Sequence, residues 1–94
     1  MSKSWTFLSH HAHVLILMAR NPEETIDNLA TQAGITARSV TTVIGDLVEA
    51  GYVTKTRVGR RNRYEINTKG RLRHATSAQH TVGELIDALG ALSQ

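Results

Sequence analysis

The sequence contains no cysteine, which excludes disulfide bonds, thiolate metal sites and a cysteine nucleophile. Its longest apolar run, from Val14 to Ala19, is far too short for a transmembrane helix. The first residues, from Met1 to Trp5, lack the pattern of a signal peptide. A glycine-rich phosphate loop and a recognisable set of Ser, His and carboxylate residues are also missing. We therefore expect a cytoplasmic protein that is not an enzyme, with no cofactor, no metal and no membrane association.

The 94 residues fit one compact domain. Apolar residues make up 40% of the chain, and Val, Ile and Leu recur with clear periods, which indicates a folded protein rather than a disordered one. A chain of this length buries a modest fraction of its surface, so its stability is expected to be marginal without a partner.

The charges are segregated along the chain although the net charge is only +3. Eight of the eleven Lys and Arg residues lie between Lys55 and Arg73, where Glu65 is the one acid. Five of the eight acids lie between Glu23 and Glu49. A basic block beside a nearly neutral body favours a polyanionic partner, and the alternative is a solvated basic loop that keeps the protein in solution.

Three short helices are predicted in the first half of the chain, each preceded by a hydroxyl residue. Apolar residues recur there with the helical period, and a Ser or Thr side chain can accept a hydrogen bond from the first turn that follows it. The predicted helices run from His10 to Arg20 after Ser9, from Ile26 to Ala33 after Thr25, and from Ala37 to Ala50 after Thr36.

The pattern then changes to an extended one. Residues 52–58 are rich in β-branched side chains and predict a strand, residues 59–62 predict a turn, and residues 63–66 predict the returning strand. Residues 67–81 are polar and without a strong period. Thr81 is the predicted cap of a last helix from Val82 to Leu92, whose glycines weaken it intrinsically, so that it depends on packing.

This order of elements predicts a fold class that is mainly α with a small β-hairpin. Two helices joined by a tight turn at Gly34 match a helix-turn-helix, and the basic hairpin after the next helix supplies a wing. We expect a winged helix-turn-helix DNA-binding domain in residues 1–67. Residues 68–94 are expected to form a polar connection and a C-terminal helix used for dimerisation.

The segment from Ile35 to Val53, ITARSVTTVIGDLVEAGYV, resembles the recognition helix and turn of MarR-like and ArsR-like regulators. The segment from Val58 to Ile66, VGRRNRYEI, resembles their basic wing, and WTFLSHHAHVLILMAR and TVGELI are similar to a small MarR-like group. The resemblance covers most of residues 5–89. It implies a winged-helix fold, transcriptional regulation through DNA binding, and a homodimer. Family members often carry Arg after the Ser or Thr in the middle of this helix, whereas here Thr42 follows Thr41.

Candidate contacts to double-stranded DNA follow from this layout. The third helix is expected to enter the major groove, and the wing is expected to lie along the backbone or in the minor groove, where narrow A·T tracts attract Arg. The Thr residues could instead serve packing, and Asn62 could simply make the turn. The predicted DNA-binding residues are Thr36, Arg38, Ser39, Thr41 and Thr42 in the helix, and Arg60, Arg61, Asn62 and Arg63 in the wing.

Other interpretations remain open at this point. His10, His11 and His13 invite a metal site, but only His10 and His13 have a spacing that suits ligands on one helix, so surface or dimer-interface histidines are favoured. Trp5 and Phe7, together with the apolar stripe of the last helix, are candidates for a dimer interface, or they complete the core of the monomer. A winged-helix module that binds an acidic protein or RNA is the alternative to operator recognition.

Overall fold

The computed structural model describes residues 5–90, which form four helices and one two-stranded antiparallel hairpin. This arrangement confirms the predicted order of elements. Residues 91 and 92, the end of the predicted last helix, lie outside the described residues. The elements are α1 (His10–Arg20), α2 (Ile26–Ala33), α3 (Ala37–Glu49), β1 (Val53–Val58), β2 (Arg61–Ile66) and α4 (Val82–Gly90).

The first three helices begin where their hydroxyl caps predict. The side-chain oxygens of Ser9, Thr25 and Thr36 each accept a hydrogen bond from the backbone N–H three residues later. Each bond satisfies one of the donors that the first helical turn leaves without a partner. Replacing such a cap by Ala costs about 1 kcal/mol of stability in helices of this kind.

The predicted cap of α4 is also confirmed, and it is reciprocal. The backbone N–H of Glu84 donates to Thr81 Oγ1 at 3.2 Å, while the backbone N–H of Thr81 donates to Glu84 Oε1 at 2.9 Å. This is a capping box. The bond from the Thr81 N–H is the main cause that lowers the pKa of Glu84 below its ordinary value, and His80 adds to it.

The core lies between α1, α2 and α3. Val14 and Met18 of α1, Leu29 of α2 and Val40 of α3 are fully buried. The helical period of the apolar residues in α3 is confirmed, because its four members Val40, Val43, Ile44 and Leu47 are all buried. This packing leaves the opposite face of α3 to solvent. The core cluster consists of Val14, Leu15, Met18, Leu29, Ala30, Val40, Val43, Ile44, Leu47, Val53, Tyr64 and Val82.

The turn of the hairpin is shorter than predicted. Arg61 and Asn62, which were expected in the turn, lie in β2 and pair with Val58 and Arg57. The reason is Gly59, whose φ of 61° allows the chain to reverse over Gly59 and Arg60 alone, so the strands stay paired up to the turn. The predicted boundaries at residues 50 and 52 also shift by one, since α3 ends at Glu49 and β1 begins at Val53.

The polar connection between the hairpin and α4 is held by backbone hydrogen bonds. Leu72 N–H donates to the His80 carbonyl at 3.0 Å, and Val82 N–H donates to the Gly70 carbonyl at 2.8 Å. A Cβ at Gly83 would lie 2.9 Å from the Thr68 carbonyl oxygen, so only glycine permits this close approach. The start of α4 is therefore fastened to the hairpin side of the molecule, and its Val82 belongs to the common core.

Candidate nucleic-acid interface

The N-terminal half of α3 presents polar side chains away from the core. Thr36, Arg38, Thr41 and Thr42 are exposed, and Ser39 is half-buried. This placement follows from the apolar stripe, because the positions between its members must face outward on a helix. The five side chains predicted as major-groove contacts are thus brought together at one end of one helix.

Two of these side chains are engaged with each other. The Thr36 hydroxyl accepts the backbone N–H of Ser39 at 3.0 Å and donates to Ser39 Oγ at 3.0 Å. These two hydrogen bonds therefore hold the first turn of α3. The other three predicted contacts on α3, which are Arg38, Thr41 and Thr42, are all exposed.

The hydroxyls of Thr41 and Thr42 both bond back to their own helix. Thr41 Oγ1 donates to the Ala37 carbonyl at 3.1 Å, and Thr42 Oγ1 donates to the Arg38 carbonyl at 3.2 Å. Thr residues on helices commonly make this bond to the carbonyl one turn earlier. It uses the hydroxyl proton of each exposed side chain and leaves the oxygen free to accept a further hydrogen bond.

The C-terminal half of α3 is acidic instead. Asp46 and Glu49 are both exposed on it. Asp46 Oδ2 lies 2.8 Å from His11 Nε2, a contact that ties α3 to the first turn of α1. Because carboxylates repel a polyanion, the surface of α3 that suits a nucleic acid is confined to its first two turns.

A shallow cleft of about 400 Å³ runs between the start of α1 and the exposed side of α3. Sequence reasoning missed it, because no local pattern links positions on α1 with positions on α3. The cleft shows that histidines of α1 border the predicted contact surface. It is lined by His10, His11, Arg38, Ser39, Thr42 and Val43.

The tip of the hairpin carries the exposed basic side chains Arg60 and Arg61. Within residues 5–90, neither of them forms an ion pair with a carboxylate. Arg57 of β1 donates from Nε to the Gly59 carbonyl, two residues later, at 3.1 Å, and this bond braces the turn where β1 ends. Two uncompensated guanidinium groups therefore project from a braced turn.

Arg63, also predicted as a wing contact, contacts the loop between α1 and α2. Its Nη1 donates to Glu23 Oε2 at 2.9 Å, and the two side chains are each a little over two-fifths exposed. The adjacent backbone N–H of Tyr64 donates to the Pro22 carbonyl at 2.9 Å. β2 is thus held to the loop before α2. Of the hairpin's basic side chains, Arg63 is the one that forms an ion pair among residues 5–90, and Arg60 and Arg61 are the unpaired ones at the tip.

Glu24 organises the entry to α2. Its carboxylate accepts from the side chains of Asn28 at 2.9 Å and Gln32 at 3.2 Å, and from the backbone N–H of Thr25 at 3.0 Å. These donors favour the ionised carboxylate. The Asn28 amide is the largest of the causes that lower the pKa of Glu24, and the Thr25 N–H is the next.

We expect the network around Glu24 to stabilise the protein near neutral pH and to fail in acid. Since the pKa is lower in the folded chain, the stabilisation is present above the unfolded value of about 4.3 and is lost as the pH falls through the folded value. Glu24→Gln should lower the melting temperature at pH 7 and have little effect at pH 2.5, as followed by circular dichroism. The control Glu49→Gln removes an exposed charge of α3 and should leave the melting temperature unchanged at both pH values. An equal effect of Glu24→Gln at both pH values would contradict this role.

The histidines do not assemble a metal site in the described part of the chain. Between residues 5 and 90, no group of three or more His, Cys, Asp or Glu side chains could hold a metal ion. His11 contacts Asp46, and His80 Nδ1 lies 3.1 Å from Glu84 Oε2. These contacts link histidines to neighbouring surface carboxylates.

No protein-family model matches the chain, and no curated protein matches its sequence. Among residues 5–90, no helix combines the length and the apolar character that crossing a membrane requires.

Proposed function

We propose that this protein is a sequence-specific transcriptional regulator that binds double-stranded DNA through a winged helix-turn-helix. In this proposal α3 enters the major groove with Arg38, Thr41 and Thr42. The hairpin is the wing, and it contacts the backbone or the minor groove. The protein acts by binding rather than by catalysis.

One observation carries the proposal: Arg60 and Arg61 stand without ion-pair partners in residues 5–90, at the tip of a hairpin that follows α3 after a short turn. Basic side chains placed in this way attract phosphate and release counterions from DNA. The exposed, carboxylate-free first half of α3 supplies groups that can meet base edges in the major groove. The wing thus supports affinity, and α3 supports sequence discrimination.

Fluorescence anisotropy tests the proposal directly. The full chain is titrated into labelled 30-base-pair duplex DNA, single-stranded RNA of the same length, and polyglutamate, at 50 and 200 mM salt. We expect the tightest binding to the duplex. Its affinity should fall as salt rises, and the slope of log affinity against log salt concentration should be about −0.9 for each phosphate contact. Absence of duplex binding at 50 mM salt would reject the proposal, and tighter binding to RNA or polyglutamate would favour the alternative classes of partner.

We further propose that the protein binds DNA as a homodimer. Trp5 and Phe7 are 68% and 93% exposed, and their rings meet edge to face with centroids 4.9 Å apart. The intervening Thr6 and the following Leu8 line a groove with Leu89 of α4. A second copy of the chain would cover these aromatic rings, and a two-fold dimer would read two half-sites about 34–36 Å apart.

The double variant Trp5→Ser, Phe7→Ser should be monomeric where the wild type is dimeric. Because both rings are exposed in the single chain, we expect the variant to fold, with a circular dichroism spectrum like that of the wild type. Sedimentation velocity at 50 μM measures the oligomeric state. The control Val58→Ser removes an exposed apolar side chain from the hairpin and should leave the dimer intact. A wild-type monomer, or a variant that remains dimeric, would refute this interface.

A further inference from the structure

We propose that Thr41 and Thr42 make α3 a reader of A·T base pairs. The hydroxyl oxygens would accept hydrogen bonds from adenine N6, and the methyl groups would contact the thymine C5-methyl group. This inference rests on the proposed function, because it requires α3 to lie in the major groove.

The hydroxyl protons of Thr41 and Thr42 are already used within α3. A Thr hydroxyl has one proton and two lone pairs. In both side chains that proton is donated to a carbonyl of α3 itself, at 3.1 Å for Thr41 and 3.2 Å for Thr42. What each hydroxyl offers to a ligand is therefore an acceptor.

The methyl group of each Thr belongs to the same exposed surface as its hydroxyl oxygen. Thr41 and Thr42 are both exposed, and the bond to the helix backbone restrains the rotation of each side chain about Cα–Cβ. The surface presented outward at these positions thus combines an acceptor oxygen with an apolar methyl group. Water is displaced from both when the helix enters a groove.

The major-groove edge of an A·T pair complements this surface. In the major groove an A·T pair shows the N6 amino donor of adenine beside the C5-methyl group of thymine. A G·C pair shows two acceptors on guanine, carries its amino donor on cytosine N4, and has no methyl group. An acceptor with a methyl group complements the A·T pair in both features. At a G·C pair it faces two acceptors on the purine, and it can meet the cytosine donor only without the methyl contact.

Arg38 provides the contrast on the same helix. It is exposed, it forms no ion pair with a carboxylate of residues 5–90, and its guanidinium is purely a donor. Guanine O6 and N7 or a phosphate are the acceptors that suit it. Preference for A·T pairs is therefore expected to depend on Thr41 and Thr42 and to survive removal of Arg38.

The experiment begins with selection of bound duplexes from a random library by the full chain. In the selected site each A·T pair is then replaced by inosine·cytosine, which keeps the minor-groove edge of A·T and gives the major-groove edge of G·C. In parallel, each thymine is replaced by uracil, which removes only the C5-methyl group. The first replacement separates reading by α3 in the major groove from any preference of the wing in the minor groove.

We expect the wild type to lose about fourfold in affinity for uracil at a contacted position, the value of one buried methyl group. Inosine·cytosine should cost more, because the adenine N6 donor is lost as well. Thr42→Val keeps the methyl group, so the uracil effect should persist and the additional inosine·cytosine effect should disappear. Thr42→Ser keeps the hydroxyl, so it should show the reverse. The same pair of variants is made at position 41. Arg38→Ala should lower the overall affinity for the duplex and leave the uracil and inosine·cytosine effects unchanged.

The outcomes separate this inference from the function on which it rests. If no duplex is bound at 50 mM salt, both are wrong. If duplexes are bound but the selected site shows no uracil effect, or the Val and Ser variants respond alike, the protein binds DNA without this reading and the inference alone is overturned. Thermal melting of each variant verifies that it remains folded at the temperature of the binding measurement.

Discussion

The double variant Arg60→Ala, Arg61→Ala should bind duplex DNA about 60-fold more weakly than the wild type at 0.1 M salt. The value follows from counterion release, since each phosphate contact contributes about 0.9 to the logarithmic slope and its effect vanishes near 1 M salt. Two contacts lower the slope by about 1.8. The affinity loss should therefore be about 12-fold larger at 50 mM than at 200 mM salt. Anisotropy at four salt concentrations measures both quantities.

Two controls define what the arginines of the tip contribute. Arg60→Lys, Arg61→Lys keeps the charges, so it should preserve the salt slope, and an additional loss would identify guanidinium contacts in the minor groove. Arg20→Ala, Arg73→Ala removes the same two charges from outside α3 and the hairpin. If this second control weakened binding as much as the variant of the tip, the effect would belong to net charge rather than to the wing.

Truncation of Leu29 is expected to have the largest effect on stability. Leu29 of α2 is fully buried in the core that the first three helices share, and this core supports α3. Leu29→Ala removes its contacts and leaves a cavity, which costs about 3 kcal/mol in buried sites of this kind. For a domain of this length the melting temperature should fall by about 12 to 24 °C.

Thr31→Ala is the matched control for Leu29→Ala. Thr31 lies on the same helix but is exposed, so its truncation should change the free energy of unfolding by no more than about 0.5 kcal/mol. Urea denaturation followed by circular dichroism measures both variants. A loss below about 1 kcal/mol for Leu29→Ala would mean that this side chain is not enclosed by the core.

The sequence was sufficient to predict the helices because their signals are local. Ser9, Thr25, Thr36 and Thr81 mark the starts, and each apolar stripe repeats within a single helix. The hairpin turn was predicted too long, because a Gly followed by polar residues suits turns of several lengths. Only the strand pairing distinguishes the two-residue turn at Gly59 from the longer one.

The side-chain contacts between elements could not be predicted. His11 meets Asp46 across 35 positions of the chain, and Arg63 meets Glu23 across 40. Neither pair has a periodic signature, because each depends on how two elements pack together. For the candidate interface, the side chains stay a prediction from the sequence, whereas the contacts that they make within the chain are visible only in the fold.

The fastening of β2 to the loop before α2 has a consequence for the thermodynamics of binding. Arg63 and the backbone of Tyr64 hold the hairpin to this loop at two points. The main chain that presents Arg60 and Arg61 is thus already arranged before a ligand arrives. The entropy lost on association is then confined largely to the rotamers of a few side chains, so more of the electrostatic attraction is retained as affinity.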